Sequence, residues 1–492
     1  MITNGFIEQK PYLITDLASS LGLSACLDDA RDILDHLLLA GVAKPYQEGR
    51  PDDWIDESIH GEYLAYRKND NQRFKFVYVG IIEINGHVIK CFPKFIKHDP
   101  NIEDMRSVLN ATERYNAEHT TLETSLANSQ GRIPNQLALA LTLIRDYLTY
   151  GLYSNQRDEL TLHGQGDIDW EATINTTMPT FRDNRPYYFD YYTNDTVQDD
   201  TDYITRLHAC IVSECSNRLH ECELDEILQL ETPTPYQGDR IDFGTDEYII
   251  QRLRKEMNVQ FVSRKQTILS SLLAWIEHTS LETNSSGIQM FGTNSFHTLW
   301  EAMCAEVFEN QFTHKLKSLG ITLANTDNED DTLESLIKKP QWKARIGGHV
   351  HNAEKTLRPD YISIVRDAVH THFVILDAKY YNIELDDRHV CGQPGVEDVS
   401  KQYLYHLAYK DFIEEHGMTS INAFISPTDQ TESSVVGTAE MPIFSDLKLP
   451  AIQVVKLSAS KILNNYNSHT HLLLQEEVPA LFSDAATHKT ES

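Results

Sequence analysis

The stretch RPDYISIVRDAVHTHFVILDAKYY, residues 358–381, holds the pattern that decides the fold. Within it, YISIV (361–365) and HFVILDAKYY (372–381) are β-branched and aromatic, and they flank a turn near Arg366-Asp367. This predicts strands at 359–366 and 372–381, paired as a hairpin. Residues two apart on a strand share a face, so Asp377 and Lys379 project together while Ala378 turns into the packing. Hairpin pairing brings Asp360 beside Asp377. The charges of Asp377 and Lys379 follow directly on four apolar residues, and a buried Asp or Lys requires a partner or a task. Two carboxylates with hard oxygen donors suit Mg²⁺ or Mn²⁺. Such a metal activates a water and neutralises charge on a scissile phosphate, and Lys379, a compact point charge, positions that water or stabilises the transition state. A bare D-x-K is common, so the competing reading is a pair of solvated surface strands.

Working outward, the helix FHTLWEAMCAEVFENQF (296–312) carries an apolar stripe of Trp300, Met303, Cys304, Val307 and Phe308. At about 100° per residue Glu301 falls within that stripe and Glu306 points away. A carboxylate on a buried face is costly unless paired or metal-bound, which makes Glu301 a candidate third ligand. Lys338, Lys339, Lys343, Arg345, Lys355 and Arg358 lie in a segment whose one acid is Glu354. This local basic patch fits contact with DNA phosphates, against the alternative of an ordinary solvated loop. A helix around 296–319, the acidic linker DNEDDTLE (327–334), the hairpin, a helix at 396–416 and further strands together suggest an α/β nuclease core.

The rest of the chain reads more coarsely. DDARDILDHLLLAGV (28–42) is an amphipathic helix with Gly41 after its end. With YLITDLASSLGL before it and strands after it, the segment suggests a winged-helix-like module. FKFVYVGIIEINGHVIKCFPKFI (74–96) holds two β-rich runs joined at Asn85-Gly86, a strong hairpin signal. LALALTLIRDYLTYGLY (137–153) is the clearest helix, and 196–230 and 246–282 read as helical. The Asn/Ser/Thr/Gly-rich run 281–295 marks a boundary, and the last 15 or so residues read as a disordered tail.

Composition bounds the function. The 492 residues carry 43 Lys+Arg against 73 Asp+Glu, a net charge of −30, which argues against an autonomous, high-affinity nucleic-acid binder. It leaves room for a local basic channel, or for a chain held on DNA by a partner. No stretch approaches the roughly 18–20 apolar residues of a membrane span. The start MITNGFIEQKPYLI lacks the basic and apolar segments of a secretory signal, and seven cysteines fit reduced thiols, so a cytoplasmic protein is expected. Cys210, Cys215 and Cys222 with His208 and His220 lack any C-x₂-C pair, which favours buried thiols over zinc. The chain contains no G-x₄-G-K-[S/T] loop for a nucleotide and no G-x-S-x-G elbow.

Pro359-Asp360 and Asp377-x-Lys379, with Glu301 on the preceding helix, resemble the PD-(D/E)xK nucleases. In that family the helix after the hairpin often carries a Gln, which Gln402 matches, and sometimes a Tyr four residues later. Here position 406 is His, and Tyr405 comes one residue early. YVGIIEINGHVIKCFPKFI (78–96) is similar to the N-terminal β-region of McrC-type restriction subunits. GQGDIDWEATINTTMP followed by NRPYYFDYYT is similar to their LlaJI-type branch.

The resemblance implies an α/β multidomain chain. Residues 1–60 would be the helical, winged-helix-like module, 61–125 a β-rich partner-docking region and 126–295 a helical adaptor. Residues 296–470 would form the nuclease core and 471–492 a tail. It implies a restriction endonuclease subunit that cuts double-stranded DNA with Mg²⁺ or Mn²⁺ at Asp360, Asp377 and Glu301, with Lys379 and Gln402 completing the catalytic set. It also implies assembly with a McrB-like AAA+ GTPase ring, GTP being used only by that motor. The alternative is a non-catalytic adaptor that keeps the nuclease fold and regulates a motor or reads DNA.

Overall fold

A computed structural model describes residues 5–24, 27–46, 73–119, 136–198, 202–281, 288–324, 327–345, 348–367, 369–386, 388–447 and 449–487. The expected boundaries at 60/61 and 125/126, residues 282–287 of the polar run, and the end of the tail at 488–492 lie outside these residues. The chain forms two compact units. One comprises Met1–Ile82, His87–Thr121 and Phe291–Ser492, and the other comprises Glu83–Gly86 and Leu122–Met290. Among the described residues, no helix is long and apolar enough to cross a membrane.

The first unit is built on a five-stranded mixed sheet in the order Tyr361–Arg366, Thr371–Ala378, Thr419–Thr428, Ile452–Ser458, Ser434–Ala439. The hairpin forms its antiparallel edge, with Tyr361 opposite Leu376 and Arg366 opposite Thr371. The next two pairings are parallel, and the last is antiparallel. Parallel neighbours need a crossover, which the helix Val396–Glu415 supplies between the second and third strands. Ile362, Ile364, Phe373 and Ile375 pack with Tyr405, Tyr409 and Phe412 of that helix into one core. The hairpin turn is fastened by Asp367, whose Oδ1 accepts the N–H groups of Val369 and His370 and whose Oδ2 lies 2.8 Å from His372 Nε2.

The N-terminal residues join this unit. Pro11–Tyr12, Ala43–Pro45 and Phe74–Phe76 form a small sheet beside the helices Ile14–Ser20 and Leu27–Leu39. Leu34, Leu37 and Leu38 are buried, and Gly41 takes φ +73°, as its place after the helix requires. The Asn85-Gly86 turn joins Val79–Ile84 to His87–Phe92, with both turn residues at positive φ. Gly80 and Gly292 face each other closely. A Cβ on Gly80 would lie 2.3 Å from the Phe291 carbonyl oxygen, and one on Gly292 would lie 2.1 Å from that of Val79.

Three segments differ from the sequence expectation. The helix beginning at Phe296 ends at Val307 rather than near 319. Glu309 takes a left-handed φ of 55°, and the Asn310 side chain accepts from Ile362 N and donates to the Asp360 carbonyl, tying the helix end to the first hairpin strand. Tyr192–Gln198 is a strand paired with Gln156–Leu162, because its alternating polar and β-branched residues lack a helical apolar period. Pro479–Thr487, expected within the tail, is a helix that buries Leu481 and Phe482, with the Phe482 ring edge-on to His372.

The second unit is mainly helical, with Gln136–Tyr150, Tyr203–Glu221, Asp246–Met257 and Ser263–Leu281 as its long elements. Cys210 and Cys215 are buried on one of these helices and Cys222 at its end, and burial pushes all three thiols up.

Candidate active site

Ile362 pairs with Ile375, and Ile364 with Phe373. Carrying that register one residue outward sets Asp360 opposite Asp377. Strand alternation then places Asp360, Asp377 and Lys379 on the face that packs against the Val396–Glu415 helix. Asp360 Oδ2 accepts the N–H of Ala378 at 2.9 Å. Asp377 is 4% exposed, and its Oδ2 lies 2.8 Å from Lys379 Nζ. Lys379 N–H donates to the Ile425 carbonyl at 2.8 Å, so the backbone here is still held to the neighbouring strand.

The electrostatics are those of crowded acids. Burial, then Asp377, then Glu301 push the Asp360 carboxyl up to about 8. Burial also raises Glu301; Lys379 opposes that shift and Asp377 adds to it. Burial draws Lys379 down, but Asp377 and Asp398 outweigh it and hold the ammonium above its ordinary range. Three carboxylates thus converge with one lysine, on elements separated by up to 78 positions in sequence.

Asp398, which the sequence reading did not single out, sits in the first turn of the long helix, with Oδ1 at 2.8 Å from Lys379 Nζ. Lys401 and Tyr405 follow on the same helical face. Lys401 acts on Glu301, and the Tyr405 hydroxyl donates to the Arg358 carbonyl at 3.0 Å. The spacing 398, 401, 405 was a legible signal, since three polar or aromatic residues one helical turn apart share a face.

Gln402 is placed differently from the expectation. Its side chain is wholly buried, and Nε2 donates to the carbonyls of Ala423 (3.2 Å) and Ile375 (3.4 Å). Among the described residues the amide meets the sheet backbone and not the carboxylates. The helix position is right, but its rotation points Gln402 at the strands and Asp398 at the lysine. Glu306 points away from the cluster and pairs with Arg114.

Lys338, Lys339, Lys343, Arg345, Lys355 and Arg358 are all exposed. Gln341–Lys343 and Val350–Asn352 pair as an antiparallel ribbon that leads into Asp360.

The family model of the LlaJI restriction endonuclease matches residues 78–460. The chain belongs to that family. This LlaJI-family chain is 27% identical over 406 residues to the Type II restriction enzyme BsuMI component YdjA of Bacillus subtilis (strain 168), covering 80% of each. Among solved structures, the LlaJI-family chain is similar to a half-complex from the tetradecameric assembly of Thermococcus gammatolerans McrB AAA+ hexamers with bound McrC. There the identity is 15%, the TM-score 0.39, and the coverage 94% of this chain and 98% of that one. It is also similar to the McrBC complex of the same organism, with 14% identity, a TM-score of 0.23, and coverage of 56% and 80%.

Proposed function

We propose that this chain is the metal-dependent DNA endonuclease subunit of a restriction system, with a PD-(D/E)xK site formed by Asp360, Asp377, Lys379 and Glu301. The observation that carries the reading is the pairing of half-buried Asp360 with buried Asp377 beside Lys379. Two acids and a lysine with no structural need for one another gather at the end of a buried strand. Like charges this close favour a cation, and the donor set is all oxygen, which fits Mg²⁺ or Mn²⁺. Asp360, Asp377 and Glu301 would hold the ion, which when bound supplies an activated water and neutralises phosphate charge.

The chain's own residues do the rest. Asp360 gives up its proton as the site fills, so that its carboxylate can bind. Asp398 would keep Lys379 charged and in place when Asp377 is committed to the ion, leaving the ammonium to stabilise charge on the phosphate. Gln402 holds the second and third strands in register beneath Asp377. The six exposed cations contact the DNA backbone. An AAA+ GTPase partner fits a chain without a phosphate loop and with a net charge of −30, because the motor can hold the DNA.

The test is plasmid cleavage with Mg²⁺ and GTP by this chain co-purified with the AAA+ protein encoded beside it, wild type against Lys379→Ala. Cleavage by the wild type alone supports the reading, and equal cleavage by both rejects it. The net charge favours one other reading, a non-catalytic adaptor. That reading requires divalent-metal binding at this site to be absent, or indifferent to Asp377→Ala.

A further inference from the structure

We infer that the ribbon formed by residues 340–344 and 349–353 enters the major groove of double-stranded DNA and sets the duplex against the Asp360–Asp377 site. This deepens the proposed nuclease reading and rests on it for the role of that site.

The ribbon is longer than its two three-residue strands. Beyond the pairs Gln341–Asn352, Trp342–His351 and Lys343–Val350, Ala344 N–H bonds the His349 carbonyl and Ala353 N–H bonds that of Pro340. Five positions per strand extend about 17 Å, and a two-stranded ribbon is one of the two elements that fit the major groove.

Neither face of the ribbon is packed. All six strand residues are exposed, Trp342 at 71%. A bare hairpin is marginal in water, and an exposed tryptophan at its centre adds nothing to stability there. Alternation sorts the side chains: Gln341, Lys343, Arg345, Val350 and Asn352 lie on one face, and Trp342, His349 and His351 on the other. The Gln341 and Asn352 amides already bond each other, Nε2 to Oδ1 at 3.1 Å, in the cross-strand position from which such amides reach base edges.

Charge selects the partner. In this acidic chain several cations elsewhere are taken by acids, as Lys315 and Lys317 are by Asp330 and Lys461 is by Glu477. Lys338, Lys339, Lys343, Arg345, Lys355 and Arg358 form no ion pair among the described residues. Six uncompensated cations flanking an exposed aromatic ribbon suit a polyanion that offers both phosphates and base edges. The ribbon's C-terminal strand runs into Asp360 within eight residues, so a duplex held by it lies beside the carboxylates.

The experiment uses the full chain in the Lys379→Ala background, alone and with its AAA+ partner, with a fluorescent duplex titrated at several salt concentrations. Lys343→Ala/Arg345→Ala should weaken binding roughly tenfold at about 0.1 M salt and flatten the log–log salt slope by about 2. Trp342→Ala should weaken binding with the slope unchanged. Dimethyl sulfate footprinting should show guanine N7 protection that the double variant loses. Lys410→Ala, on the long helix, should change nothing, and unchanged melting should confirm that the ribbon variants fold. Wild-type affinity and slope in both ribbon variants, single strands bound as tightly as duplex, or no duplex binding in either preparation overturns the inference. The same ribbon variants are then assayed for plasmid cleavage with Lys379 intact: a ribbon-dependent slope without metal-dependent cleavage would sink the nuclease reading and leave the ribbon standing. Cleavage that is indifferent to the ribbon would do the reverse.

Discussion

The Tyr380 hydroxyl donates a 2.6 Å hydrogen bond to Glu8 Oε2, joining the residue next to Lys379 to the turn that follows the N-terminal strand Gly5–Ile7. The Lys94 N–H donates to the same hydroxyl at 3.1 Å, and the Lys94 ammonium sits 4.5 Å from the Tyr380 ring centre. Phe95 and Phe296 close the cluster. The N-terminal region thus braces the strand end on which the lysine is mounted. Tyr380→Phe removes a donor from Glu8, which is 7% exposed, and should cost about 1–3 kcal/mol in urea unfolding. Plasmid cleavage should fall several-fold while Mn²⁺ affinity stays constant. An unchanged unfolding midpoint would show that the contact contributes nothing.

The carboxylates and the lysine should separate by assay. Asp377→Ala should abolish Mn²⁺ binding in calorimetry. Lys379→Ala should keep the binding and lose cleavage by about 100-fold or more. Asp398→Asn leaves the lysine one carboxylate and should lower kcat about tenfold with little change in KM for DNA. A fall in KM-controlled rate alone would mean that Asp398 does not position Lys379.

Asp360 gives the pH dependence a sign. Its folded value is about 8, against an ordinary 3.8. Between these the folded chain holds a proton that the unfolded chain has released. Its stabilising contribution is therefore full below about 3.8, declines as pH rises, and is gone above about 8. Metal-free chain should lose that component of stability across this window in denaturant titrations, and Asp360→Asn should remove the slope. Mn²⁺ affinity should climb toward pH 8, because binding must expel the proton.

Gly80→Ala should be poorly tolerated. Its φ is +136°, and the added carbon would lie 2.6 Å from Gly292 Cα as well as close to the Phe291 carbonyl. Backbone must shift on both strands, and a loss of about 1–3 kcal/mol in chemical denaturation is expected. Gly86→Ala, at a φ of +77° with open space around it, should cost less.

What could be read from the sequence followed the range of the interactions. The hairpin, the opposition of Asp360 and Asp377, and Glu301 on its apolar stripe depend on periods of two and 3.6, which a few neighbouring residues reveal. Gln402 and Asp398 do not, because a few tens of degrees in the docking of one helix decide which of them meets Lys379. The strand at 192–198 was hidden for a related reason: its partner, 156–162, lies a full element away, and both are polar. The early end of the helix at Val307 rests on Asn310 binding Ile362 and Asp360, a contact fifty residues distant.

The division of the chain also has a temporal side. The unit carrying the carboxylates draws on residues before 121 and after 291, with the other unit inserted between. On a ribosome adding about 5–20 residues per second, the first part waits on the order of ten to thirty seconds for its other half. Glu8 has no Tyr380 to receive from, and Arg114 has no Glu306, until most of the chain has emerged. A truncated or half-made chain therefore lacks a braced lysine, and the cluster of carboxylates around it is not assembled until synthesis is nearly over.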